Sequence, residues 1–207
     1  MTPPTQPQPR QRLSAEARRE QLLDVTKALV GAQGFHGVTI EAVAREAGIT
    51  RPIVYNHFSD LRSLLEAMLE RESARALSQL AGIIPGGGKG PEDPREALLA
   101  ALRGYLAVVS ADPITWRLVL MPPEGAPETL RERITEGRAA VVAALAEVLG
   151  PGFFPGGGSP DPELTARMLS AVADEGARLL LTDPERYPVD RLVAHAGWLL
   201  DQLRITR

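Results

Sequence analysis

Residues 38–58 contain two short helical patterns separated by one glycine, Gly48, and this spacing constrains the fold more than any other feature of the chain. Thr39 can cap the first helix, whose apolar positions recur at helical spacing up to the glycine. Gly48 can end that helix, because glycine enters the left-handed conformation at little cost. Thr50 can cap the second helix, and Pro52 falls in its first turn, where a missing N–H is tolerated. The segment therefore predicts two helices joined by a tight turn.

The second of these helices has an apolar and a polar face. Val54 and Phe58 lie four residues apart and can anchor it in a core. The opposite face carries arginine, proline, tyrosine, asparagine and histidine, whereas an ordinary solvated helix more often carries glutamate and lysine. Arginine and asparagine can each bond the edge of a base in two places. The pattern indicates a helix-turn-helix that binds DNA, although two helices in any helical protein would share the spacing without that role.

Charge is divided unevenly along the chain. The net charge is −3, but residues 1–62 hold eight Lys or Arg against six Asp or Glu, and residues 63–207 hold fifteen against twenty. A basic amino-terminal part on an acidic body is expected of a small DNA-facing domain. Arg10 and Arg12 belong to a Pro- and Gln-rich arm, residues 1–13, which we predict to be disordered. The arm either reaches the DNA or has no role.

The composition argues against several other classes of protein. The chain has no cysteine, and therefore no disulfide, thiolate metal site or thiol nucleophile. The three histidines show no metal-ligand spacing, and neither a phosphate loop nor a nucleophile elbow is present. No apolar run approaches the roughly 18 residues that cross a bilayer. We expect a cytoplasmic, non-enzymatic protein without cofactor, metal or membrane contact; a helical enzyme is the rival class.

The rest of the chain is predicted to be helical. Asp-Pro pairs begin at residues 93, 112, 161 and 183, and each combines a capping side chain with a residue preset for the first helical turn. No segment alternates as a strand does, so the predicted fold is all-α, with Gly- and Pro-rich loops at residues 82–91 and 150–160. The predicted helices cover residues 14–33, 39–46, 50–57, 60–82, 94–110, 113–121, 127–149, 162–181 and 185–204.

The segment from Arg19 to Arg71 contains further landmarks in a fixed order. A first helix at residues 20–33 is followed by Gly34, Thr39, the pair Ala47-Gly48, Tyr55 and Phe58. In these residues and intervals the segment resembles the amino-terminal domain of the tetracycline-repressor (TetR) family.

The resemblance implies a division of the chain and a mode of action. Residues 14–60 would form a helix-turn-helix DNA-binding domain, and residues 61–207 a helical domain for ligand binding and dimerisation. A homodimer would bind a near-palindromic operator in double-stranded DNA. A small-molecule effector would release the DNA through the helix that begins at Ser59, so that the protein represses without its ligand. The opposite sign, or control by a protein partner or by no effector, fits the same sequence.

The resemblance also assigns residues to the DNA interface. The positions that meet base edges or their surroundings are Thr50, Arg51, Pro52 and Asn56, and those that usually contact phosphate are Thr39, Tyr55 and His57. Pure helix capping is the alternative for the two threonines. One departure concerns a phosphate-binding lysine that the family usually has where this chain has Leu61. Arg62 is expected to substitute; if it points elsewhere, affinity and its salt dependence should be lower.

The ligand pocket is harder to assign, because its sequence diverges within the family. Candidates are Tyr105, Trp116, Leu120, Met121, Phe153, Phe154, Glu175 and Arg178, and core packing is the alternative for most of them. Glu175 continues an apolar stripe and should be buried unless it pairs with Arg178, a ligand or a partner subunit. The segment at residues 121–127 would form one wall. A cavity of several hundred Å³ lined by Trp116 and Met121 would favour a ligand-binding domain.

The last two helices carry the expected dimer interface. By resemblance, they would form a four-helix bundle with their symmetry mates. From the sequence alone, core packing explains the same residues slightly better. The residues assigned to the interface are Leu169, Ala173, Gly176, Leu180, Leu192, Ala196, Leu199 and Leu200.

Overall fold

The computed structural model describes residues 13–83, 93–122, 128–151, 153–154 and 157–202. Within these ranges the fold is all-α, as predicted, and the one extended pairing is an isolated bridge between Phe154 and Gly157. All of the predicted arm at residues 1–13 except Leu13, most of the loop at 82–91 and the segment 123–127 lie outside the described residues. The helices of the described ranges are α1 (Ala15–Gln33), α2 (Ile40–Glu46), α3 (Arg51–Tyr55), α4 (Leu61–Ala81), α5 (Pro94–Ala111), α6 (Pro113–Leu120), α7 (Glu128–Val148), α8 (Pro162–Thr182) and α9 (Val189–Gln202), with a 3-10 turn at Phe35–Gly37.

Three of the four Asp-Pro pairs begin helices, as predicted. The side chains of Asp93, Asp112 and Asp161 accept hydrogen bonds from backbone N–H groups in the first turns of α5, α6 and α8. The prediction is wrong for the fourth pair, because Asp183 caps a single turn and α9 starts only at Val189. The cause is Pro188, whose ring disfavours helical geometry in the residue before it.

The chain divides into two compact units, one ending at Met68 and the other starting at Leu69. The sequence predicted a boundary at residue 60. α4 contributes to both units, and its buried residues Leu64 and Met68 fall in the first. The remaining core of the first unit comes from α1, the 3-10 turn, α2 and α3, with the buried side chains Leu22, Leu23, Leu29, Val30, Phe35, Val38, Ile40, Val43, Val54 and Phe58.

The second unit is a helical bundle around two apolar clusters. α5 packs against α8 and α9, while α6 and α7 both pack against α8. The central cluster contains Ala76, Tyr105, Leu106, Val109, Trp116, Leu120, Ala177, Leu180, Leu181 and Val193. The second cluster contains Val142, Leu149, Phe153 and Ala166.

A buried polar contact joins α4 to α6. Glu72 and Thr115 are almost fully buried, and the Thr115 hydroxyl donates to Glu72 Oε2. Arg71 Nη2 lies 2.8 Å from Glu72 Oε1. Because burying an uncompensated carboxylate is costly, this hydroxyl and guanidinium allow α4 to carry an acid into the interior.

No single helix of the described residues is long and apolar enough to cross a bilayer. α5 and α6 pass the same test of length and composition only when they are taken together, and they are bent by 109° where they meet. Most of the large side chains that α6 contributes are buried within the second unit.

Candidate functional site

The turn between α2 and α3 has the geometry that the sequence predicts. Gly48 adopts a φ of 65°, in the left-handed region that favours glycine. Its N–H bonds the carbonyl of Arg45 at 3.1 Å, and the N–H of Ile49 bonds that of Ala44 at 2.9 Å. This pair of bonds is the Schellman arrangement, which satisfies carbonyls at the end of α2. Gln21 of α1 also donates to the carbonyl of Ala47 at 3.4 Å, so α1 supports the turn.

The two threonines at the helix starts behave differently. Thr39 caps α2 as predicted, since its Oγ1 accepts from the N–H of Ala42 at 3.1 Å. Thr50 stands at the corresponding position of α3, but its side chain makes no capping bond, so that prediction is wrong. Pro52 has no N–H to offer, and the N–H of Ile53 bonds the backbone carbonyl of Thr50 instead. Thr50 therefore keeps its hydroxyl for another partner.

α3 presents the two faces that its sequence predicts. Val54 and Phe58 are buried, and Arg19 of α1 stacks on the Phe58 ring with its guanidinium carbon 4.6 Å from the centroid. His57 is half-buried. The exposed residues of the predicted DNA interface are Thr39, Thr50, Arg51, Pro52, Tyr55, Asn56 and Arg62. Their exposure leaves them accessible to a ligand, and their contacts with DNA stay a prediction.

Both exposed arginines of this face are paired with glutamates. Arg51 Nη1 lies 2.7 Å from Glu41 Oε1, and Arg62 Nε lies 2.8 Å from Glu66 Oε1. The hydrogen bond from Arg51 lowers the pKa of Glu41, and the one to Glu66 raises the pKa of Arg62. Because exposed pairs of this kind are weak, a phosphate or base can replace the glutamate. DNA contact by these arginines would therefore replace a weak pairing or use the N–H donors that the glutamate leaves unused.

The second unit contains a cavity of about 320 Å³ that is largely apolar. It extends between the two clusters, since Leu102 packs against the central cluster and Leu145 against the second. Its lining includes three of the predicted residues: Tyr105, Trp116 and Leu120. Met121 packs against the central cluster without lining the cavity, and Phe153 belongs to the second cluster; Phe154 and Arg178 are not part of the lining either.

Glu175 follows an alternative to burial that the sequence left open, an ion pair with Arg178. Glu175 is exposed and pairs with Arg178 at 3.2 Å, while Met168 and Val172 on the same stripe are 63% and 62% exposed. The stripe is apolar but faces outward. One residue earlier, Asp174 lines the cavity, because a shift of one position turns a helical side chain by about 100°.

Sequence reasoning missed the polar group of the cavity wall. Asp174 Oδ1 accepts a hydrogen bond from the Tyr105 hydroxyl at 2.9 Å, and Asp174 Oδ2 lies 3.4 Å from Arg138 Nη2. Burial, together with the charge of Asp174, raises the pKa of Tyr105 far above its usual value, so the phenol stays a neutral donor. The sequence did hold a signal for Arg138, which interrupts the apolar stripe Ile134, Val141 and Leu145 at helical spacing.

The residues assigned to the dimer interface mostly face the interior of their own subunit, and their part in a dimer stays a prediction. Leu180 is buried in the central cluster, Leu192 packs against it, and Gly176 lies beside Leu106. The others line the cavity: Leu169, Ala173, Ala196, Leu199 and Leu200. Both faces of these helices carry apolar residues, so helical spacing alone does not show which face meets a partner. The large apolar side chains that α8 and α9 expose are Leu164, Met168, Val172, Trp198 and Leu199, the last of which also lines the cavity.

Most of the first unit matches a known protein family. Residues 22–68 match the model of the family described as bacterial regulatory proteins, tetR family. The chain is 28% identical over 108 residues to the HTH-type transcriptional activator FasR of Mycolicibacterium smegmatis, covering 52% of this chain and 48% of FasR. It is 44% identical over 52 residues to the HTH-type transcriptional regulator BetI of Serratia proteamaculans, covering 25% of this chain and 26% of BetI. The chain thus spans half or less of the length of the curated relatives it matches.

Solved structures extend the likeness in fold to the second unit. A TetR-like transcriptional regulator from Rhodococcus sp. RHA1 has a TM-score of 0.73 at 23% identity and covers 95% of this chain and 100% of its own. FadR from Bacillus subtilis in complex with stearoyl-CoA has a TM-score of 0.66 at 17% identity, covering 87% and 96%. The helix-turn-helix geometry and the family match agree with the resemblance in the sequence, and residues 22–68 are a domain of the tetR family of bacterial regulatory proteins.

Proposed function

We propose that the protein is a transcriptional regulator that binds a near-palindromic operator as a homodimer and is released from it by a small molecule bound in the second unit. The observation that carries the proposal is the exposed face of α3, held on a buried Val54 and Phe58 behind the Gly48 turn. A short helix of this geometry can enter the major groove with its first residues against base edges. Arg51 and Asn56 then have the chemistry to read guanine and adenine.

The exposed apolar face of α8 supports a dimer. Leu164, Met168 and Val172 recur every four residues on the outside of the second unit, and Trp198 of α9 is also more than half exposed. Exposed apolar patches on a folded domain mark interaction surfaces. A two-fold axis at this surface would bring two copies of α3 to successive half-sites of one operator.

The cavity supports control by a small molecule. Its volume of about 320 Å³ and its leucine-rich lining fit an apolar ligand. α4 starts in the first unit and contributes Leu77 and Leu80 to the lining, so a ligand in the cavity contacts the helix that also carries Arg62. FadR of Bacillus subtilis, which has this fold, was solved with stearoyl-CoA, and SmeT, a further structure of this fold, with triclosan. Ligands with a large apolar part therefore occur among proteins of similar fold.

Selection of fragments from random DNA by the purified full-length protein tests this function. The expected product is a near-palindrome whose half-sites are centred about 10 base pairs, or a multiple of that distance, apart. Enrichment of no sequence at low ionic strength, where electrostatic binding is strongest, would contradict the proposal. A reporter gene under the selected operator then decides the sign, and we expect repression that the effector relieves.

A further inference from the structure

The cavity of the second unit carries more positive than negative charge on its wall. Among the described residues that line it, the charged ones are Arg133, Arg138 and Asp174. The remaining lining consists mainly of leucine, isoleucine, valine and alanine from helices α4 to α9. In such cavities, apolar contacts supply most of the affinity and the few polar groups fix the orientation of the ligand.

Arg138 is the lining cation with unused donors. Its contact with Asp174, at 3.4 Å, is an ion pair, and the side chain makes no hydrogen bond with the residues that the structure describes. The Arg138 side chain is 46% exposed, so a ligand can reach it. A guanidinium has five N–H donors in a planar fork that matches a carboxylate or phosphate group. Arg133, by contrast, already donates to Glu70 at 3.4 Å.

Asp174 holds the arginine beside the cavity without using up its donors. The carboxylate is only 17% exposed and is anchored by the Tyr105 hydroxyl. Tyr105 in turn packs edge-on against Trp116, with ring centroids 5.3 Å apart. A cationic ligand would have to compete with both Arg138 and Tyr105 for this one carboxylate. An anionic ligand would find donors that are already oriented.

From this arrangement we propose that the effector is an amphiphile with an aliphatic chain and one anionic head, a carboxylate or a phosphate, which ion-pairs with Arg138. The inference rests on the proposed function, because it takes the cavity as the effector site. The aliphatic chain of the ligand lies against Leu102 and Ala173, which pack against the central cluster. It extends towards Leu98, Leu145 and Leu169, which border the second cluster. Arg138 determines the class of ligand, and the apolar walls determine how long the aliphatic chain of the ligand can be.

Calorimetric titration of the full-length protein with four decyl compounds tests the inference. The compounds are decanoate, decyl phosphate, the neutral decanol and the cationic decyltrimethylammonium. At least one of the two anions should bind ten times or more tightly than decanol, equivalent to about 1.4 kcal/mol. The tighter of the two anions identifies the head group. Arg138→Gln should reduce the anions to the affinity of decanol and leave decanol unchanged, while Arg138→Lys should lie between, because it keeps the charge without the fork.

Arg131→Gln is the matched control, since Arg131 is an exposed arginine of the same helix that does not line the cavity. It should bind every compound as the native protein does. The inference is overturned if decanol or decyltrimethylammonium binds as tightly as the anions, or if Arg138→Gln leaves anion binding unchanged; the cavity would then still be a ligand site. If none of the four compounds binds, the ligand-controlled function fails together with the inference, whereas selection of an operator would still stand by itself.

Discussion

Arg51 and Arg62 show how much of the predicted DNA interface a sequence can specify at the scale of single residues. Helical spacing predicts correctly that Arg51 is exposed on α3 and that Val54 is buried. It does not predict the pairing of Arg51 with Glu41, which lies ten positions away on another helix. Helical spacing also does not predict that Asp174 lines the cavity while Glu175 is exposed. Two faces of α8 carry apolar residues, and spacing alone does not show which of them packs inward.

Removal of each arginine should have a different effect on operator binding. Arg51→Ala should relax the preference at one base position in each half-site, at a cost of about 1–3 kcal/mol on the preferred operator. Arg62→Ala should weaken binding to all sequences and flatten the dependence on salt, because it removes one phosphate contact per subunit. Fluorescence anisotropy with the selected operator and with single-position variants, over a range of salt concentrations, measures both effects. Arg131→Ala, which removes the same charge from α7, is the control. Unchanged affinity in both variants would show that the reading surface lies elsewhere.

At the scale of helices, the ends carry most of the information that a sequence supplies. Asp-Pro pairs predict the starts of α5, α6 and α8, because capping and a fixed φ act locally. They fail at α9, where a second proline, Pro188, moves the start of the helix to Val189. Thr50 also fills a cap position without capping, and the N–H of Ile53, the counterpart of the Ala42 donor in α2, bonds the backbone carbonyl of Thr50 instead. A capping residue type at a helix start therefore does not guarantee a capping bond.

The two threonines allow a matched test of this interpretation. Thr39→Ala should lower the free energy of unfolding by about 1 kcal/mol, because α2 loses the hydrogen bond to the N–H of Ala42. Thr50→Ala should stay within roughly 0.5 kcal/mol of the native protein, because no capping bond is lost. Urea unfolding followed by circular dichroism gives both values. Equal destabilisation of the two variants would contradict the assignment of the caps.

The contact between α5 and α9 predicts a dependence of stability on pH. Arg95 Nε and Nη2 lie 2.7 and 3.1 Å from the two carboxylate oxygens of Asp201, and this pairing lowers the pKa of Asp201 below 3.8. The contribution is therefore present above the ordinary carboxyl pKa and is lost as the pH falls through the lowered value. Asp201→Asn should be less stable than the native protein near neutral pH, and the difference should vanish in acid. A difference that is the same at both pH values would exclude this pairing as the cause.

For the whole molecule, the sequence predicted the family of the amino-terminal domain and the all-α architecture better than it predicted which surfaces meet a partner. The helix-turn-helix is a local pattern, so residues 38–58 were sufficient to predict its turn and its exposed face. The cavity and the outer face of α8 depend on how the helices α4 to α9 pack, and helical spacing alone does not show which face of α8 meets a partner. Leu180 is covered within its own subunit, so the outer face of α8 is the surface that we propose for the dimer.

Charges placed on the outer face of α8 should therefore separate the proposed dimer. Leu164→Glu combined with Met168→Glu should produce monomers at micromolar concentration, because two-fold symmetry brings the four added carboxylates of a dimer together in an apolar interface. Neither residue lines the cavity, so ligand binding should persist. Ala140→Glu, on an exposed face of α7, should remain dimeric. Sedimentation velocity distinguishes the outcomes, and a double variant as dimeric as the native protein would place the interface on another surface.

The placement of α3 in the major groove is the claim on which the rest of the proposed function depends, and methylation interference at guanine N7 tests it most directly. The N7 atom lies in the major groove, where arginine bonds it together with O6. The selected operator is methylated sparsely, mixed with the full-length protein, and separated into bound and free DNA. We predict that methylation of a guanine in each half-site prevents binding, at positions related by the operator's two-fold axis, and that Arg51→Ala abolishes this interference. Native binding that is indifferent to methylation at every guanine of a guanine-containing operator would contradict the account.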